Sequence, residues 1–292
     1  MNIPLIIVIL YVMLLFGISI YVSRKQKKDK NDFLIYKGKN NTFIVAPSIS
    51  GLAIGGASTI GIAENAFTVG LSAGWYDTAW AIGAVVSSVL AVKYLRKSSY
   101  STISGLVGDL YGQKTSFIMV IAMCIIQSGI IALQYKAGGS ILASLLPDVF
   151  TVESGTFFSF LIFMLVAVIG GMGSVSLTNV LNLILIYAGV VLAAVLVLQG
   201  HGGWTAIKAL TAAQPDVPYL SLTAGMGWIG IISWIIVMLG NTNSVQGVVQ
   251  IGLTGKDDKA ARNGFIFGAL LMVPVGFICA ILGVAGRALL PD

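Results

Sequence analysis

Charge is scarce in this chain. Only 10% of its 292 residues are Asp, Glu, Lys or Arg, while 57% are hydrophobic and the mean hydropathy is +0.94. A soluble domain carries about 25% charged residues, so a water-facing globule is excluded. Histidine is scarcer still: His201 stands alone in a glycine-flanked loop. Without partners it makes no zinc or catalytic centre. Two cysteines, Cys124 and Cys279, fall in separate apolar runs. They form neither a metal spacing nor a disulfide framework, and read as small packing residues. The carboxylates are scattered, whereas a membrane enzyme needs several polar groups converging on one cavity. The net charge of +6 is no nucleic-acid signal, because the basic residues cluster between apolar runs.

What is present is apolar sequence in long runs. A membrane-crossing helix needs about 20 predominantly apolar residues. Eight such stretches are expected, at 3–22, 43–66, 71–95, 115–146, 155–171, 175–199, 223–251 and 262–289. The first is too long for a signal-peptide core and lacks a basic residue before it, so it reads as a retained helix. The fold class is therefore an all-α integral membrane bundle. Fourteen of the 17 Lys and Arg residues fall at 24–39, 93–114 and 256–262. Placing the start of the chain outside puts all three clusters in the cytoplasm and leaves only Lys208 in an outer loop. The loop after span six is expected to hold a short interfacial helix around Trp204, ended by Asp216 and Pro218.

Two of the apolar runs are interrupted. The first contains Gly51, Gly55, Gly56, Ser58, Thr59 and Gly61; the second contains Gly240, Asn241, Thr242, Asn243, Ser244 and Gln246. In lipid, an unwound backbone survives only where protein or a water-filled cavity satisfies it. Paired breaks at corresponding places in two halves of a chain point to a transporter's central site. Irregular backbone is expected at 55–58 and 240–244. The competing readings are close helix packing through Gly51 and Gly55 and interhelical hydrogen bonding through the amides. A break at the first position exposes carbonyl oxygens suited to Na⁺ and a half-helix N-terminus suited to an anionic group. At the second, Asn243 and Gln246 both donate and accept hydrogen bonds, which suits a small polar solute. Glu64, Asp77 and Lys136 are the ionisable residues within or beside the spans. An intramembrane charge is a functional candidate by default, but Glu64 and Asp77 also flank a short turn, and Lys136 can snorkel to an interface.

Residues 55–61, followed by Ala66, Phe67, Gly70, Leu71, Ser72 and Trp75, resemble the sodium:solute symporter family. So does the stretch 170–180, which is similar to its GG-x-x-x-V-x-x-T-D-V signature, and so do 246–250 with the basic loop 256–262. The resemblance implies a leucine-transporter-like inverted repeat of five plus five helices behind one extra helix. On that plan 1–42 is the extra helix and its basic loop, 43–199 the first repeat, and 223–292 the start of the second. It further implies Na⁺ ligation by the backbone carbonyls of Gly51 and Ile54, with Ser58 and Asp77 at the solute. Na⁺ is then a coupling ion and no other cofactor is implied. The partners are membrane lipid, Na⁺ and a small polar organic solute, carried by alternating access across the cytoplasmic membrane. Two departures stand out. Asn179 occupies the place of the signature's Asp. The chain also ends at Asp292, before the helix that carries the family's sodium-ligand hydroxyls, so the bundle reads as incomplete. The remaining helices would lie in a longer product or on another chain, and the alternative is a non-transporting member such as a sensor, subunit or inactive fragment.

The charge distribution makes a direct prediction. In a variant freed of Cys124 and Cys279, a cysteine placed at Lys28 is expected to react with an impermeant maleimide only from the cytoplasmic side. Labelling from outside intact cells would overturn this orientation.

Overall fold

The computed structural model describes residues 3–25, 33–98, 100–212 and 218–289, so Lys28 and Asp216 lie outside the described residues. Among these, regular structure is helical apart from one bridge between Asn40 and Gly255. Helix α1 is Ile3–Lys25, α2 Thr42–Ala53, α3 Ile62–Val69, α4 Trp75–Val89 and α5 Ala91–Lys97. Then follow α6 Ile103–Tyr111, α7 Gln113–Leu145, α8 Val152–Gly200, α9 Gly203–Ala212, α10 Gly227–Ser244, α11 Gln246–Thr254 and α12 Asp258–Leu289. Local signals place the starts. Asn41 caps α2 by accepting from the Ile44 N–H, Thr102 caps α6, and Thr151 with Ser154 forms a reciprocal capping box on α8.

Five helical stretches among the described residues are long and apolar enough to cross a bilayer, or six with the bent pair α10–α11. Two of them hold more than one segment. The 41 residues Ala57–Lys97 are interrupted by the tight turn Gly70–Gly74, where Gly70 has φ 63°. Helix α8 is 49 residues long, about 73 Å at 1.5 Å per residue, far more than the ~30 Å apolar core of a bilayer. It is broken at Gly171 (φ 57°, ψ −158°), where a Cβ would lie 2.5 Å from the Phe33 carbonyl oxygen. Only glycine fits this left-handed, crowded position. Divided at these points, the described residues hold eight apolar segments close to the expected ranges. The short helix expected after span six is present as α9. The short helix α6 was not anticipated from the sequence.

The bundle is organised around α12, which packs against α2, α3, α4 and α8. Its buried face is built from small residues, and its glycines let other backbones approach. A Cβ on Gly264 would lie 2.5 Å from Val45 Cβ, one on Gly268 2.8 Å from the Ala46 carbonyl oxygen, and one on Gly283 2.1 Å from the Ala63 carbonyl oxygen. Ser50 uses the proximity: its hydroxyl lies 2.9 Å from the Ala46 carbonyl oxygen and 3.0 Å from that of Gly268, with its one hydrogen shared between them. Helix α1 rides on the turn of α8, where the Ser19 hydroxyl lies 3.2 Å from the Val166 carbonyl and 2.6 Å from Ser174 Oγ.

A pair of glycine substitutions tests this arrangement. Gly283→Val must displace backbone and is expected to destabilise by about 1–3 kcal/mol, the usual cost of overpacking, or more. Gly240→Ala meets nothing within 4 Å and lies in a helix, so it is expected to stabilise by about 0.5–1 kcal/mol. Thermal unfolding in detergent reads both; equal effects of the two substitutions would show that close approach does not control the bundle.

Candidate functional site

The first break starts where α2 ends. Ile54 leaves helical geometry (φ −83°, ψ 94°), and the chain re-enters it through one wide π-helical turn, Ala57–Gly61. This agrees with the irregular stretch expected at 55–58, begun one residue earlier. Side chains take up part of the freed backbone. The Gly56 N–H donates to Gln134 Oε1 on α7 at 2.7 Å, and the Thr59 hydroxyl donates to the Gly55 carbonyl at 3.0 Å. A Cβ on Gly55 would lie 2.5 Å from Gln134 Nε2, so glycine is what lets the glutamine reach in. Among the described residues, no hydrogen bond reaches the carbonyl of Gly51 or of Ile54. Those two oxygens are the ones the sequence assigned to Na⁺.

Ser58 and Asp77 come together. Both are fully buried, and Ser58 Oγ lies 2.7 Å from Asp77 Oδ1 and 2.8 Å from the Ala53 carbonyl oxygen. A hydroxyl has one hydrogen, so it cannot donate to both acceptors at once. Asp77 Oδ2 is buried with no partner among the described residues. Gly276 of α12 sits against it, where a Cβ would be 3.2 Å from Oδ2. A buried carboxyl with one shared hydrogen bond and one bare oxygen is a receptor for a hydrogen donor or a cation. Glu64, in contrast, is exposed, and so is Lys136.

The second break lies later than expected. Helix α10 runs unbroken through 240–244 and ends at Val245 (φ −80°, ψ 122°), from which α11 departs at 60°. The polar residues explain the shift, because each folds back on its own helix. Thr242 and Asn243 donate to the Met238 and Leu239 carbonyls at 2.8 Å, and Ser244 to the Gly240 carbonyl at 2.8 Å. Four-residue back-bonding lets them remain helical.

The two breaks are neighbours: a Cβ on Gly247 would lie 3.5 Å from Leu52. Beside the second break is a cavity of about 220 Å³, lined by Met123, Gln127, Asn241, Ser244 and Gln246 among others. Gln127 and Gln134 lie seven residues apart on α7, hence on one face, and so carry polar groups to the cavity and to the first break. The Gln246 amide is already engaged: it accepts from the Ile103 N–H and donates to the Ser101 carbonyl, both at 3.0 Å. Asn243 lines no part of this cavity; its Oδ1 is buried without a partner among the described residues. The α10 segment meets α4 at Gly83 and Ser87. Those residues are six and ten positions beyond Asp77, about 9 and 15 Å along the helix. The structure thus joins Ser58 to Asp77 and separates that pair from Asn243 and Gln246. Gln127 and Gln134 were missed; the i, i+7 spacing of two amides in an apolar run was the available signal.

Two adjacent discontinuous helices, with open carbonyls at one of them, form the pattern that membrane carriers use at a central site. A sequence model of the sodium:solute symporter family matches residues 35–290, and the chain belongs to that family. It is 22% identical to the sodium/pantothenate symporter of Escherichia coli strain K12, over 97% of this chain and 60% of that protein. It is 21% identical to the sodium/glucose cotransporter of Vibrio parahaemolyticus, over 97% of this chain and 55% of that protein. A solved Na⁺-coupled sialic acid symporter, in its substrate-bound outward-open state, superposes with a TM-score of 0.82 at 15% identity, covering 98% of this chain and 60% of that one. That likeness shows the fold. The chain spans between half and two thirds of the length of these relatives. They are carriers by name, and none is named as an enzyme.

The Gln134 contact can be tested alone. Gln134→Ala leaves the Gly56 N–H without its acceptor and is expected to cost about 1 kcal/mol. Gln134→Glu, which retains an acceptor, is expected to cost less. Thermal unfolding that ranks the two the other way would show that this contact does not hold the break.

Proposed function

We propose that this chain forms the ion- and solute-binding core of a sodium-coupled symporter for a small polar organic solute. The observation that carries the reading is the pair of adjacent helix breaks, with the Gly51 and Ile54 carbonyls left without hydrogen bonds at the first. Na⁺ enters as cargo, its coordination begun by those two oxygens. Two ligands do not offset dehydration of a cation, which needs a near-complete oxygen shell, so residues 1–292 alone are expected to bind Na⁺ weakly. The remaining ligands belong to further oxygen donors, whether of the solute or of helices that complete the relatives' length. Asp77, with Ser58, receives a donor group of the solute, a hydroxyl or an ammonium. Asn243 and Gln246 stand at the second break, where Gln246 also anchors the break to the loop at 101–103. Residues 43–199 and 223–292 are assigned to two repeats, each opening with a broken helix, α2–α3 and α10–α11. Rocking of these repeats about the breaks gives alternating access. The basic clusters set the start of the chain outside and the protein in the cytoplasmic membrane.

Uptake of a panel of sugars, amino acids and small carboxylates by the protein completed to its relatives' length, measured with sodium or potassium outside, tests the reading. Uptake of at least one solute is expected only with sodium. Gly51→Pro locks the backbone and drives its ring into Asn179, which lies 2.9 Å from where a Cβ would be; it is expected to abolish that uptake. Asp77→Asn supplies the hydrogen the pair lacks. It should leave thermal stability equal or higher while lowering uptake at least tenfold. Equal uptake in both media, or full sodium-dependent uptake by Gly51→Pro, would refute the proposal.

A further inference from the structure

A second concavity lies away from the helix breaks. It measures about 350 Å³ and is lined by Ser88, Val89 and Val92 at the end of α4 and start of α5, by Lys93, Arg96 and Lys97 of α5, and by Asp258, Lys259, Ala261 and Arg262 at the start of α12. Five cationic side chains and one carboxylate therefore share one pocket, from two segments more than 150 residues apart. The carboxylate is spoken for. Asp258 pairs with Arg96 Nε at 2.8 Å, and the same guanidinium donates to the Gly252 and Gly255 carbonyls at 2.9 and 2.8 Å. Arg96 thus fixes the walls by tying α5 to the end of α11 and the start of α12. The other four cations, Lys93, Lys97, Lys259 and Arg262, have no hydrogen-bond or ion-pair partner among the described residues.

Topology alone accounts for basic residues on the inner side. It does not account for their convergence on a hollow with an apolar floor. Val89, Leu90 and Tyr94 are 50%, 59% and 58% exposed beside it. Exposed apolar side chains thus border the hollow, of the kind that lipid chains cover, and Tyr94 is the residue type of an aromatic belt. Basic pockets between helices at a membrane's cytoplasmic face suit phosphate headgroups.

We propose that this pocket binds the phosphate of an anionic phospholipid of the inner leaflet. Lys93, Lys97, Lys259 and Arg262 contact the headgroup, and the Val89, Val92 and Ala261 floor lies under its glycerol end. The site rests on the placement of the basic clusters in the cytoplasm and is independent of whether the chain transports sodium.

The test uses the purified chain in neutral detergent at low salt, titrated separately with phosphatidylglycerol, phosphatidylcholine and inorganic phosphate. Retained lipid is counted by native mass spectrometry and thermal unfolding is followed in parallel. Phosphatidylglycerol should be retained and should raise the unfolding temperature; phosphatidylcholine should do neither. Each cation near an anionic headgroup contributes roughly fivefold. Lys259→Gln with Arg262→Gln should therefore weaken phosphatidylglycerol binding at least tenfold, as should Lys93→Gln with Lys97→Gln. The control, Lys37→Gln with Lys114→Gln, removes the same charge outside the pocket and should change binding less than threefold. Equal losses in control and pocket variants, equal retention of both lipids, or full stabilisation by inorganic phosphate at the same concentration would each overturn the assignment.

Discussion

A peptide group released from a helix inside a membrane must find a partner, and the rest of this structure follows from how that demand is met. An unsatisfied backbone amide in hydrocarbon costs several kcal/mol. The first break is possible because Gln134 reaches across from α7 to the Gly56 N–H and because Ser58 and Thr59 take up the Ala53 and Gly55 carbonyls. The Gly51 and Ile54 oxygens are left over. Two open carbonyls offer ligands to a cation, and the Gly55 N–H, the usual helical partner of the Gly51 carbonyl, is likewise without a hydrogen bond among the described residues. The glycines themselves only allow the chain to bend and the glutamine to approach.

That local chemistry needs a rigid frame, and α12 provides it through smallness. Gly268, Gly276 and Gly283 bring α2, α4 and α3 within backbone distance of one helix. Asp77 is buried because Gly276 has no side chain, and a larger residue there would push the carboxyl away from Ser58. Packing and polarity are thus the same constraint seen on two helices. Asn179 shows it again. Its side chain fills the space against Gly51 and its amide donates weakly to the Ser48 carbonyl at 3.4 Å. An aspartate in that place could not donate at all unless protonated.

The all-helical, apolar character of the chain was legible because apolar length has few other uses at this hydropathy. The first break was legible because six weak helix formers crowd into eleven positions, more than packing requires. The second was legible only as to its helix. Asn, Thr and Ser read as breakers, but each can hydrogen-bond its own i−4 carbonyl, so α10 continues to Val245, a residue with no such mark. Ser58 and Asp77 were placed by family resemblance, and the contact between them is geometric information that spacing does not carry. Gln134 and the Arg96 clamp join residues 78 and more than 150 positions apart, and nothing local in the sequence announces either partner.

The bend at Val245 has a mechanical meaning. Helix α11 is nine residues long, about 13 Å, and is hinged at one end by a single residue outside helical geometry. At its far end the Arg96 guanidinium grips the Gly252 and Gly255 carbonyls. A rotation of about 20° at the hinge would carry that end through roughly 5 Å on this geometry, and the grip obliges α5 and the first turn of α12 to travel with it. The half-helix is therefore a crank, not a free flap. Its hinge lies beside the first break, and its load is the basic surface around Arg96.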